Sequence, residues 1–129
     1  MKDIQYPVTL QQLFDIGWEH FVVNYSPLSM NEDKQCLYRG PNGTKCLIGM
    51  ILPDDIAKIA DGQVVPKLAD ELSNNYPDIF DNSTSPMLWR KAQGFLHDSL
   101  IFTDKDGRES EYRLFAKNHG LKVPESTDM

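Results

Sequence analysis

Leu10, Leu13, Phe14, Gly17, Trp18 and Phe21 recur at intervals of three and four residues. That spacing lines them along one face of a helix, and an apolar helix face must be buried against another element. Thr9 suits the N-cap and Gln12 completes a capping box, so the reading is a helix from Leu10 to about Asn24. Ser26-Pro27 ends it, because proline disfavours helical geometry in the residue before it. Asp15 and Glu19 take the other side. Gly17 sits on the apolar stripe, where close packing explains a residue that costs up to ~1 kcal/mol of helix propensity. The chain has 129 residues. Folding a chain of this size hides roughly two thirds of its extended surface, enough for one core without staples. We expect a single domain over 1–124 and a disordered tail at 125–129.

Further along, Gly40-Pro41-Asn42-Gly43 has the residues of a tight turn. It predicts a β-hairpin over about residues 35–49, with Gly40 facing Thr44 and with Cys36, Tyr38, Cys46 and Ile48 on one face. A lone hairpin is marginal in water, so it must pack on helices. Pro53-Asp54-Asp55 begins a short helix ending near Asp61-Gly62, and a second runs from Pro66 to about Asn74. A polar loop follows from Asp78 to Thr84. Ser85 caps a longer helix from Pro86 to about Leu100, with Leu88, Ala92, Phe95, Leu96 and Ser99 as its stripe. Asp104 to Gly107 reads as a turn, and Ser110 caps a last helix through Asn118, closed by Gly120. The expected fold class is therefore α+β, mainly helical, with one hairpin.

Composition removes several function classes. Hydrophobic residues make up 40% and charged residues 25%, as in a globular protein. No apolar run is long enough for a membrane span or a signal peptide, and two cysteines are too few for a disulfide framework. The expected setting is cytoplasmic. Net charge is −6, which argues against direct nucleic-acid binding and favours docking on a basic protein surface. The charge is uneven: residues 34–45 hold Lys34, Arg39 and Lys45 and no acid, while residues 54–85 hold two bases and seven acids.

Few residues form a recognisable chemical constellation. Cys36 and Cys46 are not spaced as a zinc knuckle, and they read as small buried hydrophobes beneath helices. A metal or redox site would need them to meet His97 and Asp98 in space. His97 and Asp98 are adjacent, and neighbours on a helix point about 100° apart, so they form no dyad by themselves. His20 flanks the first stripe and His119 lies in the last helical turn. Asp104 and Asp106 resemble the start of a calcium loop, but Glu109 and Phe115 stand where glycine and a bidentate acid are required. No phosphate loop or nucleophile elbow is present, and nothing calls for a cofactor. Arg39 and Lys45 face each other in the expected hairpin, an unfavourable pairing unless an anion or carboxylate lies between them.

The run Cys36-Leu37-Tyr38-Arg39 to Gly43-Thr44-Lys45-Cys46-Leu47-Ile48-Gly49 resembles small uncharacterised proteins of bacteria and their phages with a Cys-x-Tyr-Arg…Gly-x-Lys-Cys-x-x-Gly core. The resemblance implies a phage or mobile-element context and carries no mechanism. The reading is a non-enzymatic protein-binding module that inhibits a host or defence protein. Its contacts would be Arg39, Gly40, Asn42 and Lys45 at the hairpin tip, with Asp54, Asp55, Asp70 and Glu71 as an acidic surface for a basic partner such as a nucleic-acid-binding enzyme. Two alternatives stand beside it. One is a small enzyme or metal or redox site around Cys36, Cys46 and His97, and the other is a structural homo-oligomer.

Overall fold

The computed structural model describes residues 6–30, 32, 37, 40–53, 76, 78–81 and 85–124. In chain order these form α1 (Leu10–Gly17), a π-helix (Trp18–Val23), a turn over Pro41–Gly43, α2 (Leu47–Ile51), α3 (Pro86–Leu96), a 3-10 helix (Asp98–Phe102) and α4 (Lys105–His119). The two short helices expected between Pro53 and Asn74, and the tail at 125–129, lie outside the described residues.

α1 begins as the capping box requires. The Thr9 hydroxyl accepts the Gln12 N–H at 3.1 Å, and the Gln12 side chain accepts the Thr9 N–H at 2.8 Å. The helix then widens into the π form at Trp18, and the reason lies in its buried positions. Leu13-Phe14, Gly17-Trp18 and Phe21-Val22 are all buried, as three pairs four residues apart. An α-helix turns in 3.6 residues, so a four-residue repeat would drift around its surface. The i→i+5 bonding of a π-helix takes more residues per turn and keeps the third pair on the core side. Asn24 N–H closes this segment on Glu19 O at 3.0 Å.

The expected hairpin is overturned, and with it the α+β class. The described residues hold isolated bridges, such as Val8 with Phe80 in parallel sense, but no strand. The chain does reverse at the turn, where Gly40 N–H donates to Thr44 O at 2.9 Å. Beyond Lys45 the arm coils into α2. The Cys46 thiol caps it by accepting Gly49 N–H at 3.2 Å, and Leu47, Ile48 and Ile51 are all 0% exposed. Pleated alternation would turn one of the adjacent pair Leu47 and Ile48 away from the core, whereas one helical turn buries both. A short apolar run such as 46–52 has no periodicity that separates these two outcomes.

Other boundaries move for local reasons. α3 stops at Leu96 because His97 leaves helical geometry (φ −142°, ψ −61°). α4 starts at Lys105, not at Ser110, because the Asp104 carboxylate accepts Gly107 N–H at 2.8 Å and acts as N-cap. The segment expected as a polar loop contains buried Ile79 and Phe80, and Phe80 meets Trp89 edge-on at 5.2 Å.

The core gathers α1, the π-helix, α2, α3 and α4 around Phe14, Phe21, Leu47, Trp89, Leu96 and Tyr112. Phe14, Trp18 and Tyr112 form an aromatic trio with ring centroids 5.3–6.3 Å apart. Gly17 is the point of closest approach. A Cβ there would lie 2.5 Å from the Tyr112 hydroxyl and 2.6 Å from Leu47 Cδ1. The Tyr112 hydroxyl is itself fixed, donating to Leu96 O at 2.8 Å. Among the described residues no helix is long and apolar enough to cross a membrane.

Candidate functional site

Three of the residues that the sequence singles out, Cys46, His97 and Asp98, lie at one place, a buried polar relay beneath the turn. It begins at the N-terminus of α2, where Ile48 N–H has no partner within its own helix. Gln93 of α3 reaches across and accepts that N–H on Oε1 at 2.9 Å. Its Nε2 donates to Asp98 Oδ1 at 2.8 Å, and the same oxygen meets His97 Nδ1 at 2.9 Å. His97 Nε2 lies 3.1 Å from Ser29 N and accepts its backbone N–H. That bond requires Nε2 to be bare, so the neutral ring carries its proton on Nδ1 and donates it to Asp98. Ser29 finishes the chain, because its hydroxyl donates to Leu37 O at 2.7 Å and its carbonyl accepts Leu37 N–H at 3.0 Å.

His97 and Asp98 therefore do form a dyad, contrary to the helical expectation. The cause is the helix break at Leu96, which lets two neighbours turn toward each other. Yet the dyad is inward-facing. His97 is 0% exposed, both ring nitrogens are engaged, and the ring stands edge-on to Phe21 at 5.2 Å. Asp98 keeps 22% of its side chain exposed.

Cys46 lies at the α2 end of the relay as a free, fully buried thiol. Burial pushes its pKa well above the ordinary thiol range, against the weaker effect of its hydrogen bond with Gly49 N–H. A thiol held in that form is a poor nucleophile and a poor metal ligand. Among the described residues no three His, Cys, Asp or Glu side chains are grouped to hold a metal ion. Cys36, the other half of that hypothesis, lies outside the described residues, as do Arg39, Asp54, Asp55, Asp70 and Glu71.

The relay holds a surface feature in place. Gly40 rests against the Ser29 hydroxyl, closer than any side chain would permit, and a Cβ would also lie 2.7 Å from Thr44 Oγ1. Beyond it Asn42 and Gly43 are exposed with left-handed backbone (φ 60° and 77°), and Lys45 is half-buried as the chain descends into α2. Both ends of the turn are thus tied to α3, one through Ser29 and His97, the other through Ile48 and Gln93.

Two of the residues in this region had no sequence signal strong enough to find them. Ser29 is a lone serine after a proline, and Arg108 lies within a highly charged stretch. Arg108 is nevertheless buried at 6% exposure, donating to Phe21 O at 3.2 Å and Ser26 O at 2.7 Å. Its guanidinium lies 4.3 Å from the Tyr25 ring centroid. It satisfies carbonyls at the end of the π-helix, and its buried Nε has no hydrogen-bond partner among the described residues.

His20 stands nearby, half-buried and edge-on to Phe21 at 4.7 Å. Its pKa is lowered first by burial, then by the neighbouring His97 ring and the positive charges of Lys45 and Arg108, against a smaller opposing effect of Glu19. A lowered folded-state pKa means that the unfolded chain binds the proton more readily. Stability from this group is full above about pH 6.5, the ordinary value, and is lost as pH falls through the lowered one. We expect the urea midpoint to drop between about pH 7.5 and about pH 5, and the drop to shrink in His20→Gln. Asp15, whose pKa burial raises against its hydrogen bond from Gln11, acts with opposite sign in the carboxylate range below that window. An identical drop in wild type and variant would remove His20 as the cause.

No family model matches the chain, and neither a curated protein nor a solved structure matches it.

Proposed function

We propose that this protein is a non-enzymatic protein-binding module that offers the turn over residues 40–45 to its partner from a helical body. The observation that carries the reading is the direction in which the relay works. Its donors and acceptors are spent on one another and on backbone groups at both ends of an exposed turn, so it orders a surface. Holding a loop in its bound shape before contact cuts the entropy cost of binding. Asn42 and Lys45 supply the polar contacts on the described part of the turn, Gly40 fixes its base, and Arg39, the residue before Gly40 in the sequence, is a further proposed contact. The net charge of −6 suits a partner with a basic face, such as a nucleic-acid-binding enzyme, with Asp54, Asp55, Asp70 and Glu71 as the second contact. The choice of a host or defence protein as that partner rests on the resemblance of the motif around the turn to small phage proteins.

The test is affinity capture from bacterial lysate on immobilised protein, eluted with salt and identified by mass spectrometry. A stoichiometric partner lost from the Arg39→Glu, Lys45→Glu double variant, with circular dichroism unchanged, is the expected result. A partner retained at full stoichiometry by that variant removes the turn from the interface.

A further inference from the structure

The turn over residues 40–45 also carries a chemically labile link. Asn42 is the only asparagine of the chain followed by glycine, and each of the others precedes a residue with a side chain. Asn42 and Gly43 are both exposed, and a Cβ at Gly43 would meet no atom within 4 Å, so water and hydroxide reach its amide. No side chain at Gly43 hinders its nitrogen from attacking the Asn42 side-chain carbonyl once the two meet. In the ordered turn they do not meet. Asn42 is left-handed, with φ 60° and ψ 29°. At that ψ an L residue holds the following amide nitrogen on the far side of its Cα–C bond from Cβ, whereas ring closure needs both on the same side.

We propose that Asn42-Gly43 is a self-modification site, and that opening of the turn starts the reaction. When Asn42 rotates about ψ, Gly43 N gives its proton to hydroxide and bonds to Asn42 Cγ. The Cγ–Nδ2 bond breaks, and the departing nitrogen takes up a proton and leaves as ammonia. Water then opens the five-membered imide at either carbonyl. One opening gives aspartate, and the other gives isoaspartate, in which the chain runs through the side-chain carbons. Either product adds a negative charge to a chain of net charge −6, and isoaspartate lengthens the turn by a methylene. The relay is what restrains the reaction. His97 Nε2 holds Ser29 N–H at 3.1 Å, the Ser29 hydroxyl holds Leu37 O at 2.7 Å and rests against Gly40, and Gly40 N–H closes on Thr44 O at 2.9 Å. Asn42 sits inside that closure, so its rate is the ring-closing rate of the free segment multiplied by the fraction of time the turn is open. No partner is involved, so the site stands or falls apart from the binding role.

Peptide mapping by mass spectrometry tests this on the full chain held at mildly alkaline pH, native and in denaturing urea. Conversion at position 42 is expected in both, slower in the native chain by roughly ten- to a thousandfold, the span of a local opening. His97→Gln and, separately, Ser29→Ala should each speed the native reaction by at least about threefold, as the loss of one hydrogen bond would, with circular dichroism still folded. Neither should change the rate in urea. Equal rates in the native and unfolded chains overturn the proposal, because the turn would then hold nothing back. So does slowing beyond about a thousandfold, which belongs to global unfolding. An Asn42 that stays intact in urea overturns it too, as does a native rate that both variants leave unchanged.

Discussion

Gly17→Ala is expected to destabilise the protein by about 1–3 kcal/mol, the usual range for overpacking a closed core. In an ordinary helix the same change would stabilise by up to ~1 kcal/mol, so the expected sign is opposite to propensity. The new methyl would meet the Tyr112 hydroxyl and Leu47 Cδ1, and neither can retreat easily. Tyr112 is 0% exposed and bonded to Leu96 O, and Leu47 is 0% exposed within α2. Thermal unfolding followed by circular dichroism would show a midpoint lower by roughly 5–10 °C for a domain of this size. The cause can be isolated by pairing the change with Tyr112→Phe, which removes the hydroxyl that the methyl strikes. The double variant should lose less than the sum of the two single losses. Equal or higher stability of Gly17→Ala would mean that the α1–α2–α4 contact is looser than described.

His97→Ala should cost still more, about 3–5 kcal/mol. It leaves Ser29 N–H buried without its acceptor, worth ~1–3 kcal/mol, and adds the cost of a cavity against Phe21. Against a total stability of about 5–15 kcal/mol, that approaches the limit of folding. His97→Gln is the informative companion, because an amide oxygen can stand in for the bare Nε2 as acceptor. Its loss should be about half as large. Amide exchange at Leu37 and Gly40 then reports the turn directly. Both amides should exchange faster in His97→Gln than in wild type, ahead of any change in the α4 amides. Uniform acceleration across the molecule would instead make His97 a general core residue with no particular hold on the turn.

Several caps and the first apolar stripe are legible in the sequence because they depend on residues close together in it, whereas Ser110, expected as a cap, lies inside α4, and Phe95, expected on the stripe of α3, is 52% exposed. Thr9 with Gln12, Ser85 with Pro86, and Gly120 in a left-handed conformation after His119 all act within a few residues. What escaped depended on partners far along the chain. The run from Cys46 to Leu52 becomes a helix because α1 and α3 cover Leu47, Ile48 and Ile51, and because Gln93 caps Ile48 from 45 residues away. The π-helix was in principle readable, since buried pairs repeat every four residues, but that pattern is easily taken for an ordinary helical stripe. Helical geometry would hold the His97 and Asp98 side chains about 100° apart, but the helix ends at Leu96, one residue before the pair. Ser29 and Arg108 bond across 68 and 87 residues, and no local pattern announces such contacts.

The relay also has a consequence for descent. The side chains of Gln93, His97 and Asp98 satisfy one another in series, so a change at one leaves a buried group unmatched at the next. Single replacements would be filtered out, and accepted ones would arrive in compensating sets. Across divergent copies of this gene, positions 93, 97 and 98 should therefore co-vary as a block. Asn42, at the exposed tip, would be free to drift with whatever it meets.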